Sequence, residues 1–238
     1  MNYCQTEAYE ELLNGMGVRT RRECGVLFRQ RRTWGIPRGW DAIGLTDWEA
    51  WEFSQNPPSF HGRMLNIPGK HETIGRIMTS HVVDLPLRIT GTEMRPVRAG
   101  LNRAKNQGVT VRMVKNFTDW CFSAGEYAWP NHQRDVEWQY YGGQHTHFIA
   151  EYKGNVIGTL GFHHWDGVAT EIMSRSIHRE FNVQELLHVE SMNYAFDIGC
   201  HTFVLGSAGN EGIGSFKAKF RGRAEWITCA KLKWRLDL

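Results

Sequence analysis

The chain has 238 residues, a formal net charge of +3, 41% apolar and 22% charged residues. That balance excludes wholesale disorder and leaves room for one large or two small buried cores. No run of about eighteen apolar residues occurs, and the first residues lack the basic-then-apolar layout of a secretory leader, so a membrane span is not expected and a cytoplasmic location is. Five cysteines are scattered without a CxxC pair. They point to a reducing compartment and away from a disulfide scaffold or a zinc finger.

In chain order, residues 7–16 carry apolar side chains at helical spacing and stop at Gly17. Residues 24–30 and 34–38 read as short strands, 47–53 as a helical turn capped by Asp47, 63–68 as a strand, and 71–81 as a helix. Residues 90–107 form the next helix, with Pro96 marking an alternative start and Gly108 its stop. A strand follows at 108–114, then aromatic-rich helices at 117–128 and 132–141. Two apolar runs around Lys153-Gly154-Asn155 make a β-hairpin, and Asp166-Gly167 turns the chain into a third strand at 169–177. An amphipathic helix spans 182–198, followed by a strand at 201–206, a short helix at 213–220 and a last strand at 224–234. No internal repeat or low-complexity tract is seen. A long helix between strands implies a mixed sheet with a right-handed crossover.

Charge is uneven. Seven arginines and one acid, Glu23, lie between Arg19 and Arg38, and seven Lys or Arg lie from Lys217 to the end. Arg31, Arg32 and Arg38, with Trp34 among them, suit a phosphate-bearing partner such as DNA or RNA. An ordinary solvated face is the bland alternative.

This order resembles the GNAT acyltransferase fold. The segment NRAKNQGVTV, with Arg98 before it, is similar to the Arg-x-x-x-x-x-Ala-Lys-x-x-Gly-Val stretch of its FemAB-like branch. LLHVESMNYAFDIGCHTFVLGSAGNEGIGSFKAKFRG resembles that branch's closing block, and WGIPRGWD its Pro-Arg-Gly loop. The match covers about residues 86–225. The resemblance implies an α+β fold: a mixed, mostly antiparallel twisted sheet flanked by helices, from 86 to 238, after a small N-terminal α/β region at 1–85. It implies an acyltransferase using acyl-CoA or aminoacyl-tRNA as co-substrate, with no tightly bound cofactor. The acceptor is an amine or hydroxyl. Base-modifying GNAT proteins of phages make a nucleobase in DNA one option. HREFNVQELL stands where acetyl-CoA-using members carry a glycine-rich pyrophosphate loop, and it has no glycine. That departure favours an aminoacyl-tRNA donor, or a non-catalytic module that binds nucleic acid or a protein.

The resemblance singles out Lys217 to stabilise charge at the donor carbonyl or phosphates. Glu171 is the general-base candidate, a role that needs a raised pKa; Glu151 and Asp166 are weaker ones. Asn182 is expected to cap the crossover helix and offer its N-terminus to an anion. Gly209, Gly212 and Gly214 are expected to form a backbone nest, with Phe216 as packing or a stacking platform. Arg98 or Arg103 is implied to bind a phosphate. His145, His147 and Glu151 share a strand face and have the chemistry of a metal set, as does Glu185-x-x-His188 in part, but a purely structural role is the stronger reading; no metal is expected.

Overall fold

A computed structural model describes residues 3–23, 26–33, 36–43, 62–68, 75–124, 138, 143–177, 181–208 and 210–232. The chain divides into two compact units: Met1–Ser80 with Glu225–Leu238, and His81–Ala224. Residues 225–238, which the sequence reading places with the second region, group with the first.

In the first unit, helix α1 (Glu7–Gly15) begins at Thr6, whose hydroxyl accepts from the Tyr9 N–H. This satisfies one of the orphan donors of the first turn. Leu12, Leu13 and Met16 are buried. Strands β1 (Thr20–Glu23), β2 (Val26–Thr33) and β3 (Ile36–Ile43) form an antiparallel meander. Strand β4 (Gly62–Pro68) then pairs with β3 in parallel, from Trp40↔Gly62 to Ile43↔Leu65. The expected helical turn at 47–53 lies outside the described residues.

The helix expected over 71–81 is overturned from residue 75 on, where the chain forms a strand, β5 (Gly75–Asp84). Ile74, Ile77 and Met78 mimic helical spacing. Ser80 to Val83 are all buried, however. Burial on both faces erases the alternation that would have marked a strand.

The second unit continues with α2 (Arg95–Asn106), which carries Pro96 in its first turn and ends before Gly108 at φ 82°. Then follow β6 (Thr110–Met113), α3 (Phe117–Ala124), β7 (His145–Tyr152), β8 (Asn155–Trp165) and β9 (Val168–Ser176). The turns Lys153-Gly154 and Asp166-Gly167 have positive φ at both positions. They close two-residue hairpins at Tyr152↔Asn155 and Trp165↔Val168. That geometry matches the right-handed strand twist, which is why Gly follows Lys or Asp there. Helix α4 (Val183–Asp197) crosses over to β10 (Thr202–Ser207), which lies parallel beside β9. Helix α5 (Glu211–Ala218) precedes β11 (Arg223–Leu232), which pairs antiparallel with β4.

The order in this unit is β5-β10-β9-β8-β7-β6. Helices α2 and α4 cover one face: Val97, Leu101, Val183, Leu186 and Leu187 pack with Leu160, Phe162, Phe203 and Leu205. Trp120 of α3 covers the other face with Val114 and Ile149. Each fully buried Leu or Phe contributes about 1.5–3 kcal/mol. Both units thus wind the same way, an antiparallel three-strand meander followed by a parallel neighbour. The sequence carries no repeat to announce it.

Candidate active site

Strands β9 and β10 part early. Their rungs are Thr202↔Val168, Phe203↔Ala169 and Val204↔Thr170, yet both strands run on. In the first unit, pairing of β3 with β4 runs to Ile43, the end of β3. The opening in the second unit therefore starts at Glu171 and Leu205.

A bulge shapes the β9 side. Phe162 faces Glu171 and Gly161 faces Met173, which leaves Ile172 as the extra residue. Bulges re-aim side chains. Ile172 is exposed, while the Glu171 side chain is turned in, 7% exposed. On the β10 side, Gly206 takes φ 65°, in the region that favours glycine. A Cβ there would sit 3.6 Å from both the Glu171 carbonyl oxygen and Lys217 Nζ.

Three ionisable groups meet at this point. Lys217, on α5, donates from Nζ to the Leu205 carbonyl and lies 3.8 Å from Glu171 Oε2. His188, on α4, places Nε2 3.4 Å from the same oxygen. Ser174 donates to Glu171 Oε1 at 2.6 Å. The His188 ring is fully buried and sits 5.2 Å from Phe216 and 5.3 Å from Phe220 between ring centres. Its Nδ1 is 2.7 Å from the Gln184 carbonyl. A carbonyl only accepts, so Nδ1 carries a proton.

Burial pushes the Glu171 carboxyl upward, but His188, Lys217 and Ser174 outweigh it and hold the pKa below the ordinary range. The raised value that a general base needs is therefore not met. Burial pushes Lys217 down, with Glu171 opposing in part. His81 of β5 is also held low, by burial and then by the charge of Lys217.

The other expected site residues fall elsewhere. Asn182 adopts the left-handed conformation and its side chain does not cap α4. Gly212 and Gly214 are inside α5 rather than in a nest-forming loop; the Gly214 N–H already bonds the Asn210 carbonyl at 3.0 Å. Asn210 caps this helix by accepting from Ile213 N–H. Phe216 packs on His188 and Phe220 and lies under Lys219. The Arg98 guanidinium donates to the carbonyls of Ile89 and Gly91, at 3.0 and 2.7 Å, so it braces a loop. Arg103 is exposed in the last turn of α2. Trp34 and Gly209 lie outside the described residues, as do the side chains of Arg31, Arg32 and Arg38. In the same arginine-rich segment, Arg22 pairs with Glu10 at 2.6 Å and Arg29 donates to the Tyr9 hydroxyl at 3.1 Å.

His145, His147 and His163 are buried. Glu151 shares their strand face but is held by Arg112 at 2.9 Å, which also grips Asp119. His147 packs on Trp120 instead, 4.2 Å between ring centres. Among the described residues no group of three His, Cys, Asp or Glu side chains is arranged to hold a metal ion.

His188 was visible in the sequence only as half of a metal-type pair. The better signal was the recurrence of Gln184, His188 and Ser191 at i, i+4 and i+7 on a helix otherwise packed with leucine and valine. His81 was hidden by the helical reading of 71–81.

No protein-family model matches the sequence, and no curated protein matches it. Solved structures share its fold. The C-terminal domain of a putative lysylphosphatidylglycerol synthetase from Agrobacterium fabrum superposes with TM-score 0.65 at 16% identity, over 98% of this chain and 89% of that one. L-PGS from Bacillus licheniformis gives 0.63 at 13%, over 96% and 92%. FemX gives 0.60 at 10%, over 98% and 92%. No helix among the described residues is long and apolar enough to cross a membrane. Parted parallel strands beside a three-strand meander, with a crossover helix between them, thus belong to a fold that this chain shares with FemX and with the two synthetase structures.

Proposed function

We propose that the chain is an acyltransferase that moves an acyl or aminoacyl group from an ester or thioester donor to an amine or hydroxyl. The observation that carries this reading is Lys217, a buried cation fixed on the β10 backbone at the point where β9 and β10 separate. A donor carbonyl lying in that opening develops negative charge as the acceptor attacks. A fixed cation in a low-dielectric site stabilises that charge without reorganising. Glu171 then serves as the counter-charge that orients Lys217, and the acceptor's proton leaves with the departing group or solvent.

Of the two donors, aminoacyl-tRNA is favoured. The chain has no glycine in HREFNVQELL where a pyrophosphate would be cradled. One neighbour is named a putative lysylphosphatidylglycerol synthetase, a name that contains an aminoacyl group and supports the same choice. A nucleobase or other nucleic-acid amine stays among the acceptors on the strength of the arginine-rich segment.

The test is donor breakdown. Purified protein is incubated with charged tRNA or acyl-CoA and a panel of amine acceptors, and uncharged tRNA or free thiol is followed. Turnover on one donor class is expected, with a loss of about 10²–10³ in Lys217→Ala. Absence of turnover and of thermal stabilisation by either donor overturns the proposal and leaves a binding module.

A further inference from the structure

The contacts of Glu171 pose a question of proton count. Nδ1 of His188 is committed to the Gln184 carbonyl, so Nε2 is either a bare lone pair or a second N–H. It faces Glu171 Oε2 across 3.4 Å with both side chains buried. Two lone pairs cannot face each other in such a site at little cost, because no water screens the repulsion. A proton shared between Nε2 and Oε2 removes that repulsion. Lys217 Nζ addresses that same oxygen from 3.8 Å. Glu171 Oε2 thus faces both groups, and His188 has the nearer position.

We propose that His188, by sharing a proton with Glu171, withholds the carboxylate's charge from Lys217, so that the Glu171–His188 pair sets the pH at which Lys217 becomes a neutral amine. His188 is then a positioning residue, acting on Lys217 through Glu171 without touching a reactant. The ring is built for this. Phe216 and Phe220 fix its plane, and Phe216 precedes Lys217 in the chain, so one short helix carries both the amine and half of the cage. Among the described residues, two further titratable groups lie near the site, and neither opposes this role. Glu185, one turn back on α4, is held by Lys219 of α5 at 2.9 Å. His81 of β5 adds no negative charge. The inference gives the site of the proposed transferase a tuning element, and its test uses neither donor nor acceptor.

Acetylation of Lys217 by acetic anhydride is followed against pH by peptide mass spectrometry, with the exposed Lys105 as internal reference. In the wild type the midpoint for Lys217 falls below that of Lys105. His188→Gln keeps a donor toward Glu171 but cannot carry charge; the carboxylate returns to Lys217 and the midpoint rises by about one unit or more, the usual effect of an opposite charge at this range. The double variant Glu171→Gln with His188→Gln shows no rise. An unchanged or lowered midpoint in His188→Gln overturns the inference. Should that variant not fold, nitrogen NMR of the wild-type ring decides: a proton on or shared by Nε2 near neutral pH is expected, and a bare Nε2 overturns it. A shifted midpoint in a protein without transferase turnover would sink the proposed function and leave this pairing standing.

Discussion

The carboxylate of Glu171 and the ammonium of Lys217 approach to 3.8 Å with less than a tenth of either side chain exposed. Breaking a buried pair by removing one partner leaves an uncompensated charge, which costs about 3–5 kcal/mol. Glu171→Ala is therefore expected to lower the urea midpoint strongly. Glu171→Gln keeps an oxygen for the Ser174 hydroxyl and is expected to lose less. Equal midpoints for the two variants would show that loss of the charge outweighs the Ser174 hydrogen bond, and a wild-type midpoint in both would contradict the prediction.

Acid is expected to unfold the second unit early. Burial holds His147 and His163 at about 3 and His145 at about 4, with neighbouring histidines adding to the effect. These values lie below the unfolded 6.5, so the unfolded chain binds protons first as the pH falls. Stability is full above about 6.5 and is lost downward toward 3–4. By linkage, each ring costs about 2 kcal/mol at pH 5 relative to pH 7. A urea midpoint that stays level between pH 7 and 5 would contradict this.

Helix α4 is seated on β8 through a glycine. A Cβ at Gly158 would lie 2.5 Å from Val183 Cγ1, 3.1 Å from the Arg175 carbonyl oxygen and 3.2 Å from Leu187 Cδ1. Gly158→Ala is expected to cost about 1–3 kcal/mol through overpacking. Because α4 also carries His188, the variant should shift the pH response of Lys217 as well as the melting temperature. A wild-type melting temperature would show that the helix yields freely.

Asn210 caps the helix that holds Lys217. Asn210→Ala is expected to destabilise by about 1 kcal/mol, and Asn210→Ser or Asp to restore most of it. Amide exchange at Ile213 would rise in the alanine variant alone.

Ser191 is fully buried, and its hydroxyl has no hydrogen-bond partner among the described residues. An unpaired buried hydroxyl is a cost rather than a gain, so Ser191→Ala is expected to be neutral or stabilising by up to about 1 kcal/mol. A loss beyond that range, read from the denaturant midpoint, would mean the hydroxyl is engaged.

The second unit was readable because its punctuation is local. Lys153-Gly154 and Asp166-Gly167 fix two hairpins through backbone conformation alone, and Gly108 and Gly199 end helices in the same way. Strand β5 was not readable, since burial on both faces removes any two-residue rhythm. Gly212 and Gly214 misled for a related reason: glycine usually marks a turn, yet Asn210 and the packing of Phe216 and Lys217 draw them into a helix. At the site, the resemblance singles out Lys217 and Glu171, and the structure brings their side chains together. Their pairing with His188 was not legible, because it joins residues from three elements through a strand bulge that no spacing rule announces.

Lys217 is moored to the main chain of β10 at Leu205. Such a side chain has little freedom to swing toward a reactant. Under the proposed function, whatever reacts beside it is delivered to a stationary side chain, so selectivity falls to the shape of the approach rather than to the reach of the lysine.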